Sequence, residues 1–118
     1  MKKILVVDDE NDIRALLKDI LNVSGFEVME AENGQIALEK YYQYKPDAAI
    51  IDLNMPIMDG VKLTQYIHEE NRDFPILILS GYLHKYSVED LKKLNVRSVL
   101  SKPVDINEIF KEVKKLFP

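Results

Sequence analysis

The sequence predicts one α/β domain in which a parallel five-stranded sheet lies between two layers of helices. Three observations carry that expectation. Five short apolar runs alternate with five stretches whose apolar residues recur at helical spacing, and strict strand–helix alternation yields a parallel sheet with right-handed crossovers. The connections between them are too short to hold a second domain. The 118 residues, 47% hydrophobic, are enough to close one core.

Each element has its own warrant. Residues 4–7 are an unbroken apolar run, the pattern of a strand covered on both faces. Across 12–24, Ile13, Leu16, Leu17, Ile20 and Leu21 form one stripe of a helix, and Gly25 stands where a glycine closes it. Residues 28–31 predict the second strand and 35–44 the second helix, set off by Asn33-Gly34. After Lys45-Pro46-Asp47 comes the third strand, 48–51, and after Asp59-Gly60 the third helix, 61–70. Phe74-Pro75 precedes the fourth strand, 76–79, followed by a helix over 87–94. A fifth run, 96–100, is interrupted by Arg97 and Ser98, and a last helix spans 106–117. Five strands at this length fit the smaller doubly wound arrangement, order 2-1-3-4-5, a flavodoxin-like three-layer sandwich.

Composition removes several classes of function. Sixteen Lys and Arg stand against twenty Asp and Glu, a formal charge of -4, with a pI near 5.2; direct nucleic-acid binding calls for the opposite balance. The absence of Cys excludes disulfides, thiolate metal sites and Cys nucleophiles. The amino-terminal apolar run is four residues long and ends in three acids, well short of the roughly 7–15 residues of a signal peptide core. A cytoplasmic protein with no membrane partner is expected. His68 and His84 share no metal-ligand spacing. Tyr41, Tyr42 and Tyr44 read as helix packing and rim, and Lys111, Lys114 and Lys115 as solvated charges at the last helix's negative end.

In such sheets ligands bind beyond the carboxyl ends of the strands, where the first and third are neighbours. Asp8, Asp9 and Glu10 follow the first strand, Asp52 the third, Ser80-Gly81 the fourth and Lys102-Pro103 the fifth. Each has a plain structural use: Asp8 or Asp9 as a helix cap, Asp52 as an Asx-turn residue, Ser80 as a turn residue, Lys102 as a surface charge. Their coincidence on one sheet edge favours a site. Three carboxylates in one crevice repel, and a hard divalent cation such as Mg²⁺ relieves them. Lys102 and the Ser80 hydroxyl would face the other oxygens of a phosphoryl group, and a carboxylate can be the nucleophile that accepts it. Asp52, ending a central strand between the acid pair and Lys102, is the candidate.

Asp8-Asp9, Asp52 with Met55-Pro56 and Asp59-Gly60, Ser80, and Lys102-Pro103 together resemble the receiver domains of two-component response regulators. The resemblance covers essentially residues 1–118. It implies a phosphoacceptor signalling domain whose Asp52 takes a phosphoryl group from a histidine kinase or histidine phosphotransfer protein and which then switches a downstream protein target. Asp9, Asp52 and the backbone carbonyl of Asn54 would ligate Mg²⁺, with Asp8 acting through a bound water, while Ser80 and Lys102 contact the phosphoryl oxygens. The domain would catalyse only its own phosphorylation and dephosphorylation, with no output domain among these residues. A cis bond before Pro103 is also implied. Two positions depart from the pattern: Val99, where many receivers carry Tyr or Phe, and Val104, where Phe is common. A haloacid-dehalogenase-type phosphatase uses similar ingredients but needs an acid at the position of Asn54. A flavodoxin-type redox module would set three acids against the flavin phosphate, and the four glycines form no phosphate-cradling motif. A pure interaction module remains the other alternative.

Overall fold

The computed structural model describes residues 1–117; the last helix's expected run into Pro118 meets a residue outside that description. Strands β1 (Lys3–Val7), β2 (Glu27–Ala31), β3 (Ala48–Ile51), β4 (Ile76–Ser80) and β5 (Ser98–Ser101) alternate with helices α1 (Asn11–Val23), α2 (Gly34–Tyr44), α3 (Gly60–Glu70), α4 (Val88–Lys93) and α5 (Ile106–Lys114). All strand pairs are parallel and the sheet order is β2-β1-β3-β4-β5, as expected.

Alternation along each strand divides the core into two layers. Leu5, Val7, Ala49, Ile51, Ile76 and Ile78 pack with Ala37 of α2, Leu63 and Ile67 of α3, and Leu94 after α4. Their neighbours Ile4, Val6, Ala48, Ile50, Leu77 and Leu79 pack with Leu17, Ile20 and Leu21 of α1 and with Ile109 and Val113 of α5. Both faces of the sheet are therefore covered, which is why its three inner strands, β1, β3 and β4, read as unbroken apolar runs. Each fully buried Ile or Leu contributes about 1.5–3 kcal/mol, so the central strands are the rigid base from which the loops at their carboxyl ends project.

The observed ends differ from the expected ones where local bonding overrules hydrophobic pattern. Val96 packs on the core, but Asn95 at φ 56° turns the chain there, so β5 starts at Ser98 rather than 96. Helix α5 stops at Lys114, after which Lys115 and Leu116 hydrogen-bond three residues back; Leu116 is still buried, which prolongs the apolar stripe. Helix α4 is framed by a reciprocal cap between Ser87 and Asp90. Gly25, at φ 90°, closes α1 in the left-handed conformation that glycine supplies. The tyrosines behave as packing and rim: Tyr41 sets its ring edge-on to Phe74 at 5.2 Å, while Tyr42 and Tyr44 are exposed. His68 is half-buried, its Nε2 3.2 Å from the Phe74 carbonyl oxygen. No helix of the described residues is long and apolar enough to cross a membrane.

Candidate functional site

β1 lies between β2 and β3, so the chain leaves the sheet in opposite directions on either side of it and opens a crevice there. The ladder continues one residue past each strand: Asp8 donates its backbone N–H to Ala31 at 3.1 Å, and Asp52 donates its own to Val7 at 2.9 Å. Both side chains are thereby fixed at the crevice, Asp8 2% and Asp52 4% exposed. Asp9 follows on the solvent side. Carboxylate oxygens of Asp8, Asp9 and Asp52 all lie within 4.8 Å of one another.

From the far strand, Lys102 donates its backbone N–H to the Ser80 carbonyl at 2.9 Å and sends its ammonium into the acids. It lies 2.9 Å from Asp8, 3.4 Å from Asp52 and 3.8 Å from Glu10. The Lys102–Pro103 peptide is cis. One cation thus serves three acids, and the balance shows at Asp52 and at the lysine itself. Burial raises the Asp52 carboxyl, Asp8 raises it further, and Lys102 with the Asn54 N–H offsets only part; it sits at about 6 instead of 3.8. Burial alone would lower Lys102, but the hydrogen bond and charge of Asp8, with Asp52 and Glu10, outweigh it and hold its pKa above the ordinary value.

The loop after β3 builds one wall. Asp52 accepts the Asn54 N–H at 3.3 Å, so its Asx-turn role and its place in the cluster coexist. Asp59 caps α3 by accepting the Lys62 N–H at 2.9 Å, and Gly60 returns to donate to the Leu53 carbonyl. A Cβ at Gly60 would stand 2.2 Å from the Asp52 carbonyl oxygen; only glycine allows this approach. Neither Asp8 nor Asp9 caps α1. Its first residue is preceded by Glu10, whose side chain makes no capping bond, whereas Asp8 accepts the Glu10 N–H at 2.9 Å.

The result is an open cleft of about 730 Å³ lined by Asp9, Asp52, Asn54, Tyr82, Lys85 and Lys102, among others. Ser80 is not on its surface. The Ser80 side chain is fully buried, its hydroxyl accepting the Tyr82 N–H at 3.1 Å and the Asn54 side-chain amide at 3.3 Å. Five of the expected six residues are therefore at or directly under the cleft, and Ser80 is tied to it through Asn54. Three contributors carried no readable signal. Arg14 donates to the Asp8 backbone carbonyl at 2.5 Å; Lys85 reaches the cleft from a one-turn 3-10 helix (Leu83–Lys85); and burial, followed by Asp59 and Asp52, raises the Tyr86 hydroxyl above its ordinary pKa against a lowering contact with Asn54. Such contacts depend on loop path, which residue spacing does not specify.

The arrangement offers hard oxygen ligands beside a carboxylate of unsatisfied charge and a cation reaching both, the requirements for taking up a phosphoryl group. The family model of the response regulator receiver domain matches residues 4–114. Sporulation initiation phosphotransferase F of Bacillus subtilis is 32% identical over 117 residues, covering 99% of this chain and 94% of that protein. Chemotaxis protein CheY of the same organism is 34% identical over 114 residues, 96% of this chain and 95% of that one. Against the transcriptional regulatory protein PrrA of Mycobacterium tuberculosis the identity is 36%, but the chain spans about half, 49%, of that regulator's length. Among solved structures, response regulator TrrA from Thermotoga maritima in complex with Mg²⁺-BeF superposes with a TM-score of 0.89 at 38% identity, covering 99% of this chain and 100% of that one. TrrA in complex with histidine kinase ThkA gives a TM-score of 0.87 at 36% identity, with both chains fully covered.

Proposed function

The chain belongs to the response regulator receiver domain family, signalling domains of two-component systems, and from that premise we propose that residues 1–118 act as one receiver whose phosphoacceptor is Asp52. The observation that carries the assignment is the position of its carboxylate, 3.4 Å from the Lys102 ammonium and within 4.8 Å of Asp8 and Asp9 oxygens. An Asp52 oxygen forms the new bond to phosphorus as the phosphorus–nitrogen bond of a phosphohistidine breaks. The electron pair stays on the imidazole nitrogen, which takes a proton from solvent.

The donor set fits Mg²⁺: three carboxylates converge with one lysine among them, and the raised Asp52 pKa marks negative charge that a hard cation would relieve. Asp8, Asp9 and Asp52, with the backbone carbonyl of Asn54, would hold the ion, which when bound supplies charge neutralisation for the transferring group. Lys102, released from part of its bonding to Asp8, contacts a phosphoryl oxygen, and the Ser80 hydroxyl, which now accepts from the Tyr82 N–H and the Asn54 amide, turns to donate its proton to another. The chain catalyses its own phosphorylation and dephosphorylation only. Its partners are a histidine kinase or histidine phosphotransfer protein, as TrrA has in its complex with ThkA, and a downstream protein target, with the exchange taking place in the cytoplasm. The phosphatase alternative lacks its general acid, since Asn54 stands at that position and gives its amide to Ser80.

Intact mass measurement after incubation with Mg²⁺ and acetyl phosphate tests the assignment. Wild type should gain one phosphoryl group and Asp52→Asn none; a labelled variant would overturn it.

A further inference from the structure

A phosphodonor is an anion, and the cleft it must enter is acidic: Asp9, Glu10, Asp52 and Asp59 line it against two lysines. Those lysines are not equivalent. The Lys102 ammonium is shared among Asp8, Asp52 and Glu10, so its charge is already answered inside the site. Lys85, exposed at the cleft wall, has no carboxylate partner among the described residues. Its ammonium instead stands 4.5 Å from the centre of the Tyr82 ring. An aromatic face positions a cation without cancelling its charge.

The Tyr82 backbone is itself held in place at the cleft. Tyr82 donates its N–H to the buried Ser80 hydroxyl at 3.1 Å and accepts the Lys85 N–H through its carbonyl at 3.0 Å. The single 3-10 turn between them therefore has its first end tied to the site. The ring, half-exposed, and the ammonium line the same cleft.

We propose that Lys85, held over Tyr82, is the residue that captures the phosphoryl group of an incoming donor at the mouth of the cleft, before Lys102 engages it; this rests on Asp52 as phosphoacceptor. Lys85 thereby serves as a positioning residue for entry, and the Tyr82 ring determines where it waits. Carboxylates would otherwise repel the donor, and a cation without a carboxylate partner at the cleft wall raises the local concentration of anions.

The test is the initial rate of labelling by acetyl phosphate with saturating Mg²⁺, followed by intact mass at about 10 mM and about 0.5 M salt, which differ several-fold in screening length. At low salt, Lys85→Gln should label on the order of three- to tenfold more slowly, and Lys85→Arg close to wild type. At high salt the difference should shrink to less than about twofold. Tyr82→Ala should also slow capture, and Tyr82→Ala combined with Lys85→Gln should be no slower than Lys85→Gln alone, because both remove one device. Circular dichroism melts of each variant establish that the fold is retained. Wild-type labelling rates for Lys85→Gln at low salt, or a loss equal at both salts, would overturn the proposal; additive losses would overturn the role of the ring. A wild type that takes no label would instead overturn Asp52 as acceptor.

Discussion

Asp52→Asn should stabilise the metal-free protein, and the size of the effect should follow pH. The folded-state pKa of Asp52 is about 6 against 3.8 unperturbed, so the folded chain binds that proton more tightly than the unfolded chain. The stability it lends is fully present below about pH 4 and is lost as pH rises through about pH 6. Two pKa units correspond to about 3 kcal/mol as an upper limit. The cleft is open to water, and Lys102 loses one of its partners in the variant while retaining Asp8 at 2.9 Å; both reduce the gain, to about 1–2 kcal/mol. For a domain of this size that raises Tm by about 4–8 °C. Thermal melts of wild type and variant in chelator, at about pH 8 and about pH 4, measure it. The gap should be several-fold larger at the higher pH. A gap independent of pH, or a variant less stable at the higher pH, would refute the view that Asp52 is held in a crowded acidic pocket.

Three other substitutions probe the loops around it. Gly60→Ala forces a Cβ to within 2.2 Å of the Asp52 carbonyl oxygen and should destabilise by about 3 kcal/mol or more, measured by urea unfolding. Ile57 is 80% exposed at φ 71°, a β-branched residue in a left-handed conformation; Ile57→Gly should stabilise by about 1 kcal/mol with acetyl phosphate labelling unchanged, and a lower Tm would count against strain there. Tyr82→Ala should speed loss of the phosphoryl group from Asp52 more than Val99→Ala does, read as decay of the labelled mass after donor removal; equal decay rates would remove Tyr82 as a shield against water.

The fold was legible because its sheet is buried on both faces. Residues 48–51 and 76–79 contain nothing but apolar side chains, and such runs have few other uses in a chain with helical stripes between them. The site was legible for a related reason: once the strand order follows from alternation, the residues one step past each strand must meet, and Asp8, Asp52 and Lys102 do. Ser80 shows where this method stops. Its place at the end of β4 was foreseeable, but the direction of its hydroxyl depends on which donors the neighbouring loops present, and these are the Tyr82 backbone and the Asn54 side chain. Lys85 is the same case: only the 3-10 turn Leu83–Lys85 brings it back over Tyr82, and no periodicity encodes a single turn of that kind.

The bonds made by Ser80 also indicate where a change at Asp52 is felt. If its hydroxyl turns toward an anion on Asp52, the Tyr82 N–H and the Asn54 amide both lose their acceptor, and an unmet buried donor costs about 1–3 kcal/mol. The cheapest repair is movement of the segment that carries Tyr82, because it is a single 3-10 turn followed by the six-residue α4 (Val88–Lys93), none of whose residues is fully buried. Val99 faces the opposite condition. It is half-buried against the apolar layer that also takes Leu91 and Val96, and a β-branched side chain has little rotamer freedom with which to answer. A two-state element responds in proportion to what distinguishes its states. Here that difference is two hydrogen bonds, one on the β3–α3 loop and one on the β4–α4 loop, so the response belongs to the loop bearing Tyr82 and Lys85.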